Sequence, residues 1–232
     1  MITDRRQLDQ LVGAMFHHDG RGRLTGASPL VHIVRTEDHV VWRCREDVPE
    51  ATAAEIEAVA IAPRGRPGAW ADDYAAYLSL VRSVATETSI RAGPLFRFPA
   101  ELPEPTDCST INATNLHLLE GTLDEWVQDA ESGSLMTAAL ADGKAVSVCA
   151  TVRSSSTVHC AGVETAAAYR GRGFAERAVA AWSKRVRARG AEPFYGTTFD
   201  NVPSQKVAWR LGLMLVGSEF SLYGAALDQD AS

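Results

Sequence analysis

The sequence predicts a mixed α/β protein: a central, mostly antiparallel sheet flanked by helices, with an additional N-terminal α+β region. Three observations predict it. From about residue 109 the apolar pattern changes from period two to helical period and back, in the order βββαβαββ. The turn Ala141-Asp142-Gly143-Lys144 joins the first two of these strands with Asp-Gly, a strong hairpin signal. The third strand runs through a Gly-rich turn into an amphipathic stripe, which places a crossover helix after an antiparallel meander.

Before that region, RQLDQLVGAMF fits a short amphipathic helix, and LVHIVRTEDHVVWRCR gives two β-rich runs around Glu37-Asp38, a hairpin pattern. PEATAAEIEAVAIA places Pro at a helix start, APRGRPGAW reads as a loop, and ADDYAAYLSLVRSVA as another helix. FRFPAELPEPTD carries Pro99, Pro103 and Pro105, which fit neither a helix interior nor a central strand. The expected organisation is therefore an N-terminal α+β region (1–100), a Pro-rich linker (101–108), a main domain (109–226) and a flexible tail (227–232). In the main domain STINATN reads as a strand. TLDEWVQDA reads as a short helix with Thr122 as N-cap and Glu125 at capping-box spacing. SLMTAALADGKAVSVCATVRSSSTVHCAGVETA supplies three strands. Then come the helix after RGRG, the strand PFYGTTFDN, the helix SQKVAWRLG, and LMLVGSEFSLYG, expected as a last strand pair.

The bulk numbers restrict function. At 232 residues, 46% hydrophobic and 22% charged, the chain has the balance of an ordinary globular protein with a sizeable core. A net charge of -6 argues against a nucleic-acid partner and is compatible with an amine-bearing ligand. Cys44, Cys108, Cys149 and Cys160 show no CxxC spacing, so neither a metal site nor a disulfide framework is expected. MITDRRQLDQL lacks the apolar core of a signal peptide, and no run reaches the roughly 18 apolar residues of a membrane span. No membrane partner and a cytoplasmic location are the expectation.

The chemistry concentrates in AYRGRGFAERAVAAW. From Phe174 the apolar positions Ala175, Ala178, Val179, Trp182 and Val186 form one helical stripe. Lys184, Arg185, Arg187 and Arg189 crowd the helix C-terminus, where cations complement the dipole. The first turn, Arg172-Gly173-Phe174-Ala175, has no side chain to cap its free N–H groups. Such a start, built on Gly and flanked by Arg170 and Arg172, suits an external anion. Taken alone, RGRG is equally compatible with a solvated turn, an RNA-contacting patch or a plain strand-to-helix connection. The chain carries no GxGxxG with a following strand acid and no GK[ST].

VETAAAYRGRGFAERAVAAW resembles the acyl-CoA-binding signature of the GNAT family of N-acetyltransferases, [QR]-x-x-G-x-[GA], met by Arg170, Gly173 and Ala175. FYGTTFDNVPSQKVAWRLGL is similar to the second half of that family's core, with Asn201, Ser204, Arg210, Leu211 and Gly212 in the matching positions. The resemblance covers roughly Ser109 to Gly224 and leaves residues 1 to about 100 outside it. It implies direct transfer of an acyl group, foremost acetyl, from acyl-CoA to the amine of a small molecule in a ternary complex, without a metal. It implies that the amides of Gly171, Arg172, Gly173, Phe174 and Ala175 hold the CoA pyrophosphate, with Arg170 opening the signature. Val163 and Thr165 would pair with pantetheine and the thioester carbonyl through their backbone, and Asn201 and Ser204 would contact the pantetheine arm.

The same resemblance places a tyrosine acid at the position held here by Ala208, which leaves Tyr195, Tyr223 or water to meet the leaving thiolate. For the base, Glu164 lies between the two pairing positions, and His159 stands where some members carry a catalytic carboxylate; each is also compatible with a structural role. His17, His18 and His32 read as surface or packing residues, Trp126 and Trp182 as core, and Trp209 as either. The N-terminal region would cover the acceptor side or form a homodimer surface. Competing readings are a non-catalytic CoA-binding sensor or assembly module, and a transferase using aminoacyl-tRNA or a carrier protein.

Overall fold

A computed structural model describes residues 5–62 and 71–226. The tail 227–232 and most of the APRGRPGAW loop lie outside the described residues. The chain divides into two compact units: Met1–Leu95 with Thr197–Asp200 and Leu215–Ser232, and Phe96–Gly196 with Asn201–Met214. The expected boundary at 101–108 thus differs from the observed division, which starts the second unit at Phe96 and returns the last strand to the first.

The first unit contains helices α1 (Arg5–Met15), α2 (Glu50–Ile61) and α3 (Ala71–Val81) and strands β1 (Val31–Thr36), β2 (Val40–Cys44), β3 (Ala85–Arg97) and β9 (Met214–Ala226). Their order is β2-β1-β9-β3. β1 pairs antiparallel with β2 through Val34↔Val41, and with β9 through His32↔Ser221 and Val34↔Glu219. Ile33, Ile56, Tyr77, Val81, Phe220 and Leu222 fill its core, with Tyr74 stacked on Phe220 at 5.1 Å.

Two strand readings are corrected here. β3 has thirteen residues and fills a stretch for which the sequence predicts no element, with Gly93 and Pro94 inside it. The fold uses both: a side chain at Gly93 would collide with the Thr197 carbonyl, and the Pro94 carbonyl accepts from Thr197 N–H at 3.4 Å. The expected last strand pair is one continuous strand, β9. Gly217, inside it, lets the backbone pass close to the Arg35 carbonyl.

The second unit is a mixed sheet in the order β8-β7-β6-β5-β4, built from β4 (Cys108–Ile111), β5 (Met136–Ala141), β6 (Lys144–Ser154), β7 (Val158–Thr165) and β8 (Glu192–Gly196). Its pairs are antiparallel except β7 with β8. The β5–β6 hairpin turns at Asp142 (φ 51°) and Gly143 (φ 76°), as Asp-Gly predicts. On one face lie α5 (Phe174–Ala188) and α6 (Val202–Arg210) over Val146, Cys149, Val179, Trp182 and Tyr195. The other face is covered by Leu119, Leu123 and Ala130 from the segment ahead of β5. That segment corrects the capping-box reading. A 3₁₀ turn at Asp124–Trp126 leads into α4 (Val127–Glu131) without a side-chain cap. Thr122 Oγ1 instead donates to the carbonyls of Leu119 (3.0 Å) and Ala145 (2.8 Å).

The basic end of α5 does more than complement its dipole. Arg187 donates to the carbonyls of Ala100 (2.8 Å) and Phe98 (3.2 Å), and Lys184 pairs with Glu104. These contacts fasten the Pro-rich segment along the helix.

Candidate active site

The site begins with the way two strands part. β7 pairs with β6 from His159↔Ser154 to Thr165↔Ser147, but with β8 only over Val158–Cys160 against Glu192–Phe194. Ala166 N–H bonds the Val146 carbonyl at 3.0 Å. Antiparallel alternation therefore aims the even-numbered amides of this stretch at β6, and turns the backbone groups of Val163 and Thr165 toward the gap. Consistent with that, the Thr165 carbonyl accepts from Arg170 Nε at 3.1 Å.

The gap continues into a cleft of about 570 Å³. Val163, Glu164 and Thr165 form one wall, and Tyr169 to Gly171 with the first turn of α5 form its end. Tyr195 and the α6 residues Asn201, Ser204, Lys206, Val207 and Arg210 form the other wall. At the end, Gly171 (φ 74°) and Gly173 (φ 83°) are left-handed, a conformation that excludes most side chains although the space around both is open. Gly173 is the N-cap of α5, and no side chain caps the helix. The first-turn N–H groups and the positive dipole end thus face the cleft.

The opposite wall is fixed by polar contacts. Asn201 Oδ1 accepts from Ser204 N–H at 3.1 Å and caps α6. Ser204 Oγ meets the Tyr195 hydroxyl at 2.8 Å. Tyr195 is buried, and desolvation pushes its phenol up to about 12. Glu176 in the first turn of α5 pairs with Arg210 at 3.1 Å, tying the two helices across the cleft floor.

Of the residues singled out in the sequence, Val163, Glu164, Thr165, Arg170, Gly171, Gly173, Phe174, Ala175, Asn201 and Ser204 all line this cleft. Arg172 does not line it; its guanidinium sits 5.3 Å from the ring centres of both Tyr169 and Phe174. The two candidate bases separate. Glu164 lines the cleft while its Oε2 accepts from Trp126 Nε1 at 3.0 Å, so Trp126 is more than a core residue. His159 is not among the lining residues. Its Nδ1 meets Thr151 Oγ1 at 3.0 Å, the same hydroxyl that accepts from Trp182 Nε1 at 3.1 Å. Burial, aided by Arg189, lowers its pKa below the ordinary value. An odd spacing along a strand puts His159 and Glu164 on opposite faces, which their partners bear out.

Ala208 is fully buried in the core beside α5, whereas the next residue, Trp209, is half exposed and edge-on to Phe96 at 4.9 Å. Lys206, Arg210 and Glu176 line the cleft without having been singled out for it; the i, i+4 spacing of the two cations on α6 was the available signal. Among the described residues no group of three or more His, Cys, Asp or Glu could hold a metal ion. No helix there is long and apolar enough to cross a membrane.

Residues 128–223 match the family model described as GNAT acetyltransferase. An acetyltransferase from the GNAT family of Colwellia psychrerythraea shares the fold, with TM-score 0.51 over 97% of both chains at 12% identity. A GCN5-related N-acetyltransferase-like protein from Streptococcus suis aligns over 85% of both chains at 17% identity and TM-score 0.49. The aminoglycoside N-acetyltransferase AAC(6')-Iy, in complex with CoA, aligns over 47% of this chain and 92% of its own at 26% identity and TM-score 0.40. No curated protein matches the sequence. The matched segment includes the whole lined cleft, from Val163 to Arg210.

Proposed function

We propose that the protein is an acyl-CoA-dependent N-acyltransferase, with acetyl-CoA as foremost donor, that acts directly on the amine of a small molecule. One observation carries the reading: the free edge of β7 and the uncapped N-terminus of α5 open into the same cleft. A strand edge offers alternating donors and acceptors to an extended amide-bearing arm, and a helix N-terminus offers amides and a dipole to a diphosphate. Arg170 and Lys206 add positive charge around that end, where Arg210 is offset by its pair with Glu176.

In this reading the amides of Gly171 to Ala175 seat the pyrophosphate, and Val163 and Thr165 align the pantetheine. An N–H on the same edge donates to the thioester oxygen as negative charge develops on it. Glu164 receives the ammonium proton of the acceptor, with Trp126 holding the carboxylate in place. His159, engaged with Thr151 on the opposite face, has a structural role.

A second reading, a CoA-binding module without catalysis, is favoured by one observation: the position where the family carries a tyrosine is the buried Ala208. Two measurements separate the readings. Calorimetric titration with CoA and acetyl-CoA should show binding in the micromolar range or tighter. A thiol-release screen over small amines should then find turnover. Binding without turnover on any amine would favour the second reading, and absence of binding would remove both.

A further inference from the structure

We infer that Arg210 is a positioning residue: by pairing with Glu176 it holds that carboxylate away from the first turn of α5, so that the amides of the turn stay open to a diphosphate. The inference rests on the acyl-CoA reading above and names what protects its anion seat.

The starting point is a conflict in the local sequence. Gly173 is the N-cap of α5, and its carbonyl accepts from Arg177 N–H at 3.3 Å, so Glu176 is the third residue of the helix. A glutamate at that place is the acid of a capping box: its side chain turns back and accepts from a free N–H at the helix start. The helix dipole pulls a carboxylate the same way. Read locally, Gly173-Phe174-Ala175-Glu176 is a helix start that closes its own anion site with its own acid. A carboxylate seated there opposes a diphosphate with like charge and occupies the donors it needs.

α6 resolves the conflict. No side chain caps α5. Glu176 Oε1 instead accepts from Arg210 Nη1 at 3.1 Å, and both residues line the cleft. Arg210 stands in the last turn of α6, where a cation also complements the dipole of that helix. The Glu176 side chain is only 16% exposed, so the pair is less screened by water than a surface pair. Arg210 thereby serves the anion seat indirectly. Its charge is spent on Glu176, and the amides, the dipole, Arg170 and Lys206 supply what the diphosphate meets.

The test is a double-mutant cycle on CoA affinity, measured by calorimetry in the wild-type protein, Arg210→Ala, Glu176→Ala and the double variant. Neither side chain belongs to the core under α5, so all four should fold. With Glu176 present, losing Arg210 should raise the Kd about tenfold, the size of a like charge set against an anion at a helix end. With Glu176 already absent, the same loss should change the Kd by about twofold or less. A loss of about tenfold in both backgrounds would mean that Arg210 touches the phosphates itself, and no loss in either would remove it from the site; each overturns the inference.

A second measurement needs no ligand. In isotope-labelled Arg210→Ala the amide protons of Gly173 to Ala175 should shift downfield in nuclear magnetic resonance as they bond the carboxylate, and in the double variant they should not. Unmoved amides in Arg210→Ala overturn the inference. If CoA does not bind the wild-type protein, the acyl-CoA reading falls, and the amide shifts alone then decide whether Arg210 holds Glu176 away from the turn.

Discussion

At the scale of single residues, the cleft sorts chemistry from structure by what each side chain touches. Glu164 reaches the cleft and leans on Trp126, while His159, five residues earlier on the same strand, is spent on Thr151. Glu164→Gln keeps the Trp126 contact and removes the proposed base. Acetyl transfer should fall about 100-fold in kcat/KM with CoA affinity unchanged, measured by thiol release and calorimetry. Equal activity of the variant would return the role of base to water or to another group. Gly173→Glu tests the anion seat, since it adds a carboxylate at the helix N-terminus and a side chain at φ 83°. CoA affinity should drop at least tenfold in calorimetry, and an unchanged Kd would remove the phosphates from this turn. Both residues were visible in the sequence, but their partners were not. Trp126 is separated from Glu164 by 38 positions, and no local pattern relates them.

Elements show where local signals suffice and where they mislead. α5 was legible from its stripe, its Gly start and its basic end, because each of these depends on neighbours a turn away. What that basic end holds was not legible. Arg187 clasps the carbonyls of Phe98 and Ala100, far back in sequence, in a stretch whose prolines deny it a strand partner. Arg187→Ala should therefore cost about 1–3 kcal/mol, read as a lower thermal midpoint, and Arg187→Lys should not fully restore it because lysine lacks the fork that spans two carbonyls. Trp182→Ala, which empties the centre of the core under α5 and removes one of the partners of the Thr151 hydroxyl, should cost about 3–5 kcal/mol in chemical denaturation. β3 and β9 show the reverse case. Both run on through an internal glycine, Gly93 and Gly217, where a close backbone approach leaves no room for a side chain.

For the molecule as a whole, two oppositely shifted groups of the first unit bear on stability in acid. Glu219 on β9 is partly buried opposite Val34. Desolvation pushes its carboxyl from an ordinary 4.5 up to about 7, against the pull of Arg91. His32, fully buried between Arg43 and Ser221, is held down from 6.5 to about 3, chiefly by desolvation. Between pH 4.5 and 7 the folded Glu219 keeps a proton that the unfolded chain has lost, so its contribution to stability falls as pH rises. Between pH 3 and 6.5 the unfolded His32 holds a proton that the folded chain does not, so its contribution falls as pH drops. The two slopes oppose one another in the shared window. Glu219→Gln should leave only the histidine slope: denaturation midpoints should rise with pH from about 4.5 to 6.5. A midpoint as flat as in wild type would show that Glu219 titrates normally.

By itself the sequence determined the helices, the β5–β6 turn, and the uncapped Gly start of α5. A helical stripe, an Asp-Gly turn or an uncapped Gly start is written within a few residues and needs no distant partner. The tertiary structure alone decided that β7 and β8 part after Cys160, that Glu164 rather than His159 lines the gap, and that Tyr195 joins α6 in the opposite wall. Strand pairing and burial are set by residues tens of positions away. Which face a strand residue presents depends on register, and register is fixed only when the sheet is assembled.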